Sequence, residues 1–147
     1  MTKIINILEI RFTNKAGKRY IFDPFRKKEV PATPEELVRQ YFCRYLVDEC
    51  GYPMVSIVNE RGVEVNGQSL RCDTLVVRQG KPVALVEYKA PEVEITQKVF
   101  EQVARYNLVF GVPYLFVSNG RQTYACRYDA GAASWSYLQT IPTWDLL

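Results

Sequence analysis

The segment LRCDTLVVRQGKPVALVEYKA, Leu70 to Ala90, constrains this chain more than any other stretch. Two apolar runs flank a Gly-Lys-Pro break, which reads as a hairpin of largely buried strands. Asp73 nevertheless sits in the first run, and Glu87 and Lys89 sit in the second. Charges in a buried strand are costly unless they are paired or used. Strand side chains alternate with period two, so Glu87 and Lys89 share a face, and Asp73 shares one with Leu75 and Val77. A turn centred on Gly80 sets Asp73 opposite Glu87 and Arg71 opposite Lys89, with opposed Cβ atoms about 5 Å apart. A one-residue slip would undo that pairing.

Two carboxylates so close repel, and a hard divalent cation offsets the repulsion. Mg²⁺ prefers oxygen ligands and takes one or two carboxylates, leaving water and phosphate to complete its shell. Such an ion acidifies an attacking water and neutralises charge on a phosphoryl group. Lys89, one strand step beyond Glu87, can orient that water or stabilise the transition state. The set suits phosphodiester hydrolysis. An E-x-K triplet alone is common, and strand-end charges are often simply solvated, or paired as Lys89 with Asp73. The conjunction of E-x-K ending an apolar strand with an acid opposite it carries the signal.

Composition removes the main rivals. The 147-residue chain contains no histidine, which excludes Ser-His-Asp and Cys-His catalysis and H-E-x-x-H zinc sites. No G-x-x-x-x-G-K-[ST] loop is present, so the sequence is no ATP motor by itself. The four cysteines, Cys43, Cys50, Cys72 and Cys126, form no C-x-x-C pair and read as buried free thiols in a reducing compartment. No apolar run approaches the ~20 residues of a membrane span, and MTKIINILEIRF lacks the form of a signal peptide, so a cytoplasmic location with no membrane partner is expected. The net charge of +3 is mild. Basic and aromatic residues alternate in KAGKRYIFDPFRKK; they read either as a solvated hairpin edged with lysines or as a surface that follows a phosphate backbone, and the pattern favours the former.

The element pattern is mixed α/β. IINILEIRF and KRYIFD read as strands around an Asn14–Gly17 turn, and KKEVPATP as a loop. A helix is predicted from Pro34 to about Glu49, with Thr33 as N-cap, Glu36 completing a capping box, and Val38, Phe42, Tyr45 and Leu46 on its apolar face. MVSIVNE, GVEV and SLRCDTLVV read as strands, with a turn at Asn66-Gly67, and VALVEYKA follows. A second helix is predicted over about Ile95–Phe110, with Val99, Val103, Tyr106 and Phe110 on one face. YLFVSN, TYACRYD and SWSYLQTI close the chain as strands, the first of them parallel to VALVEYKA. No linker or repeat is visible, so residues 1–147 read as one domain, an N-terminal hairpin to about residue 30 and a core from about 31 to 147.

Two more features bear on the site. Gln102 and Tyr106 are i and i+4 on the second helix and share a face; they serve either as orienting or DNA-contacting groups or as boundary and core residues. Glu35 and Glu36 open the first helix, where a carboxylate caps or supplies a third acid near the metal; Glu36 is preferred, because it lies in a row with Gln40, apart from the Val38/Phe42 row.

TPEELVRQ, RCDTLVV, VALVEYKAP, EQVARYN and VPYLFVSNG, taken in order, resemble the N-terminal nuclease domain of type I restriction enzyme R subunits, of the PD-(D/E)XK superfamily. The resemblance spans about Val30 to Gly120. It implies a restriction-endonuclease-like core, a mixed central β-sheet flanked by helices, carrying here an extra N-terminal β-hairpin. It also implies Mg²⁺-dependent DNA cleavage, with Mn²⁺ as a substitute. Carried over by motif, Asp73 and Glu87 would bind metal, Lys89 would be the catalytic lysine, Glu36 the first-helix acid, and Gln102 and Tyr106 a Q-x-x-x-Y element that orients the lysine or substrate. Cys72 stands where many members have proline. In the R subunit the nuclease precedes a translocating ATPase, so the implied partners are DNA and a separate motor or specificity subunit. The competing expectation is a catalytically silent nuclease-fold module that binds DNA or protein.

Overall fold

The computed structural model describes the backbone of residues 9–59, 62–65 and 68–147, and their side chains except at 62–65, 68–71 and 106–110. The chain opens with a three-stranded antiparallel sheet of β1 (Phe12–Lys15), β2 (Lys18–Asp23) and β3 (Lys28–Pro31). The expected hairpin is therefore a meander. KKEVP, read above as loop, supplies β3, in which Val30 pairs with Ile21 and Pro31 with Tyr20. Proline is tolerated there because it ends an edge strand, where no ladder donor is needed. The first strand read in the sequence lies partly among residues 1–8, outside the described residues, and β1 starts only at Phe12.

Helix α1 (Pro34–Asp48) begins as its sequence dictates: the Thr33 hydroxyl accepts from the Glu36 backbone N–H at 3.2 Å, and Pro34 occupies the first turn. Only half of the capping box forms, because the Thr33 N–H donates to the Pro31 carbonyl and the Glu36 carboxylate turns to Arg26. The apolar face buries Val38, Phe42, Cys43 and Leu46, while Tyr45, placed on that face by spacing, is largely exposed. A polar flank of Glu36, Arg39, Gln40 and Arg44 is buried too.

The central sheet has the order β11-β10-β9-β8-β7-β4, built from β4 (Ile57–Asn59), β7 (Thr74–Arg78), β8 (Lys81–Tyr88), β9 (Tyr114–Ser118), β10 (Thr123–Asp129) and β11 (Ser134–Leu138). Only β8 and β9 run parallel, joined through helix α2 (Gln97–Phe110) as a strand–helix–strand unit. Alternation sorts the strand residues to two helices. Val76, Ala84, Val86, Tyr88 and Phe116 pack with α1, while Leu75, Leu85, Leu115, Val117 and Cys126 pack with Phe100, Val103 and Ala104 of α2. Helices on both faces leave every residue of β9 buried, hence its unbroken apolar run.

MVSIVNE gives a 3₁₀ turn (Met54–Ser56) before the short β4, and β5 (Gly62–Val65) pairs with β6 (Gln68–Arg71) as a separate ribbon; the Asn66-Gly67 turn lies outside the described residues. SLRCDTLVV is thus not one strand. It breaks at Cys72–Asp73 into β6 and β7, and Asp73 occupies the bend. After β11 the chain returns across the sheet, where the Tyr52 hydroxyl donates to the Pro142 carbonyl and Arg78 donates to the carbonyls of Trp144 and Leu147.

Candidate active site

The β7–β8 hairpin brings Asp73 and Glu87 together by a route the sequence does not announce. Its turn is centred between Gln79 and Gly80, not on Gly80, since Arg78 pairs with Lys81. Both turn residues have positive φ, 51° and 76°, the geometry that fits two twisted strands. That turn alone would set Asp73 opposite Val86. A β-bulge between Val76 and Val77 leaves Val83 unopposed and shifts the register, so that Thr74 pairs with Val86. Continued by one residue, this register places Asp73 across from Glu87.

The bend at Asp73 frees its carboxylate from the ladder. Asp73 Oδ2 accepts the Tyr88 backbone N–H at 2.9 Å, which draws the acid across β8 to the Glu87 side. Glu87 lies on the α2 face by alternation with Leu85 and is partly buried. Burial, then the Asp73 charge and a hydrogen bond to the Asp73 carboxyl, push the Glu87 carboxyl up to about 8, while Lys89 pulls in the opposite direction. Glu87 therefore holds its proton near neutrality, beside the Asp73 carboxylate. The half-buried Lys89 follows β8, its N–H donating to the Ser118 carbonyl at 2.9 Å and its charge felt by Glu87.

Glu36 is buried, and its carboxylate accepts from Arg26 at 2.5 Å and from Gln40 at 3.0 Å, with Arg39 Nε at 3.4 Å. Glu35 is exposed. The link between Glu36 and the acid pair runs through Arg39, whose Nη1 donates to the Asp73 carbonyl at 3.1 Å and whose guanidinium lies 5.7 Å from the Tyr88 ring centroid. Beyond Glu36, Arg26 pairs with Asp23, which is wholly buried. Burial alone would raise the Asp23 carboxyl; hydrogen bonds from Arg26, Asn59 and the Phe25 N–H outweigh it and hold the group below its ordinary value. Asn59 in turn accepts from the Thr74 hydroxyl at 2.6 Å, and Thr74 accepts from the Tyr88 hydroxyl at 3.0 Å. Of the expected Q-x-x-x-Y element, Gln102 is exposed on α2, and the side chain of Tyr106 lies outside the described residues.

The inward set of Arg39, Arg44, Asp23, Arg26 and Asn59 escaped the sequence reading. A signal existed: Glu36, Arg39, Gln40 and Arg44 recur at helical spacing, which marks a single polar stripe. Its burial depends on Arg26, which the β2–β3 turn carries to Glu36; the sequence reading gave that turn no role. A groove of about 410 Å³ between α1 and the β9–β11 end is walled by Tyr41, Tyr45 and Leu138 and has no carboxylate in its lining. Among the described residues no group of three or more His, Cys, Asp or Glu side chains gathers for a metal. Asp73 and Glu87 still fit a hard divalent ion as two oxygen donors whose mutual repulsion such an ion would relieve.

A mixed sheet between two helices, with an acid pair and a lysine on its central hairpin, defines a restriction-endonuclease-like α/β domain with an added N-terminal sheet. The chain belongs to the family described as type I restriction enzyme R protein N terminus (HSDR_N), whose sequence pattern matches residues 34–142. Its fold is similar to a fragment assigned to the HsdR subunit of a type I restriction enzyme from Vibrio vulnificus YJ016, with TM-score 0.53 and 20% identity over 77% of this chain. The match spans 24% of that longer structure. Among curated proteins none matches.

Proposed function

We propose that this domain is a divalent-metal-dependent DNA nuclease in which Asp73 and Glu87 hold the ion and Lys89 acts on the reacting phosphate. The observation that carries the reading is the Asp73–Glu87 pair, two acids held together closely enough to keep a proton that a cation would replace. Membership of a restriction R-subunit family supports DNA as the substrate. When bound, Mg²⁺ or Mn²⁺ would supply charge neutralisation at the phosphate and acidify an attacking water. The chain's own residues do the rest. Asp73 is aimed by the Tyr88 N–H, Glu87 would release its proton on ion binding, and Lys89, whose charge acts on Glu87, would donate to a phosphate oxygen or orient the water. Gln102, exposed on α2, is available to DNA or to Lys89. Motor and specificity functions would come from elsewhere in the assembly.

A second reading, a silent nuclease-fold module that binds DNA or protein, draws on the absence of a third gathered acid among the described residues. Plasmid cleavage across Mg²⁺, Mn²⁺ and Ca²⁺, with metal titration of wild type, Asp73→Ala and Lys89→Ala, separates the two. The nuclease reading expects cleavage with Mg²⁺ or Mn²⁺ and little with Ca²⁺. It expects weakened metal binding in Asp73→Ala, and a ~10²–10³-fold loss of rate with metal binding retained in Lys89→Ala. Equal cleavage by wild type and Lys89→Ala refutes the mechanism. No cleavage by wild type, alone or with an R-subunit motor restored, favours the silent module.

A further inference from the structure

Arg39 stands between two parts of the molecule that share no strand or helix. On one side it meets Glu36, which Arg26 and Gln40 hold in place. On the other it donates to the backbone carbonyl of Asp73 at 3.1 Å. That carbonyl sits in the bend between β6 and β7, where the ladder is interrupted. Its hydrogen bond must come from outside the sheet. The same residue's carboxylate is held by the Tyr88 N–H, and the Arg39 guanidinium also packs toward the Tyr88 ring at 5.7 Å. Arg39 thus touches both residues whose mutual hydrogen bond aims Asp73 at Glu87.

We propose that Arg39 is a positioning residue for the acid pair: its planar fork clamps the Asp73 bend, and Glu36 serves the site by holding Arg39. The functional consequence rests on the nuclease reading, whereas the geometric one does not. Side chains that orient metal ligands from outside the coordination shell commonly change metal affinity about 10–100-fold. Lysine carries the charge without the fork, so it should replace Arg39 only in part.

The test follows the Tyr88 amide resonance, a direct reporter of the Asp73 carboxylate, together with Mg²⁺ titration. It uses wild type, Arg39→Met, Arg39→Lys and Leu46→Ala, the last a core truncation in the same helix that controls for lost stability. The expected result is a Tyr88 amide displaced in Arg39→Met and less so in Arg39→Lys. Mg²⁺ affinity should fall about 10–100-fold and by less, respectively, with Leu46→Ala like wild type in both. A Tyr88 amide and affinity unchanged in Arg39→Met overturns the proposal, as does an equal change in Leu46→Ala. If Arg39→Met does not fold, Arg39→Lys decides: displacement with weakened binding supports the clamp, and wild-type behaviour overturns it. Mg²⁺ binding by no variant, with the amide displaced only in the Arg39 variants, removes the nuclease reading and leaves the clamp standing.

Discussion

The Tyr88 backbone N–H donates to the Asp73 carboxylate at 2.9 Å, so a donor from the middle of E-Y-K holds the acid of the neighbouring strand. The bond exists because Asp73 lies in a bend, one residue before β7 resumes the ladder. It places a negative charge beside Glu87, which burial already disfavours as an anion, and so sets the proton content of the site.

That proton makes stability pH-dependent in a defined direction. The Glu87 value is raised in the fold from the ordinary 4.5 to about 8, so its contribution is fully present below about pH 4.5 and is lost as pH rises toward 8. Without metal, Glu87→Gln should gain on wild type by an amount on the order of 4 kcal/mol between pH 5 and pH 9. Urea unfolding of both proteins at those two pH values measures it; parallel pH dependence in the two would sink the assignment.

Metal binding should release the same proton. Below about pH 8, Mg²⁺ must displace it from the Asp73–Glu87 pair, so affinity should climb by up to about tenfold per pH unit and then level off. Calorimetry at neutral pH in buffers of different ionisation enthalpy counts the protons released. A count near zero contradicts a protonated pair.

Arg26 bridges two buried acids, Asp23 and Glu36. Arg26→Met leaves both without it and should destabilise the fold by about 3–5 kcal/mol. Pairing it with Asp23→Asn should recover part of that loss, because one of the stranded charges is gone. A double-mutant cycle in denaturant reads the coupling; additive effects would mean that the two groups act independently.

The β7–β8 turn can be improved without touching the site. Gln79 holds φ of 51°, a conformation asparagine tolerates better, and Gly80 already suits its φ of 76°. Gln79→Asn should raise stability by about 0.5–1 kcal/mol and leave Mg²⁺ affinity unchanged. A lower melting temperature, or altered binding, would show that the turn also governs the bulge.

All four cysteines are free and buried. Burial pushes Cys43 up to about 11 and Cys126 to about 12, so neither carries appreciable thiolate at neutral pH. A disulfide reagent should label the native protein only at its unfolding rate. Rapid labelling of Cys43 or Cys126 would place those thiols at the surface.

The order of strands and helices was legible because period-two and helical spacing, caps and turn residues are local properties, as TPEE opening α1 shows. The apolar alternation of β8 was legible for the same reason, although β8 ends at Tyr88 and leaves Lys89 just beyond it. The Asp73–Glu87 pairing was reached from the wrong turn centre; the bulge at Val83 supplied the missing residue, and a bulge depends on how both strands pack between α1 and α2, not on its own sequence. The break at Cys72–Asp73 was hidden because β6 leaves the main sheet to pair with β5, a choice between partners that a single strand does not encode. The role of Glu36 was likewise beyond local reading: its row with Gln40 was visible, but Arg26, which turns it inward, arrives on the β2–β3 turn. Local chemistry thus determined which residues could meet on one face. Tertiary packing decided which charges are buried, what holds them, and whether Glu87 keeps its proton, because desolvation and the field of distant partners exist only once the chain has folded.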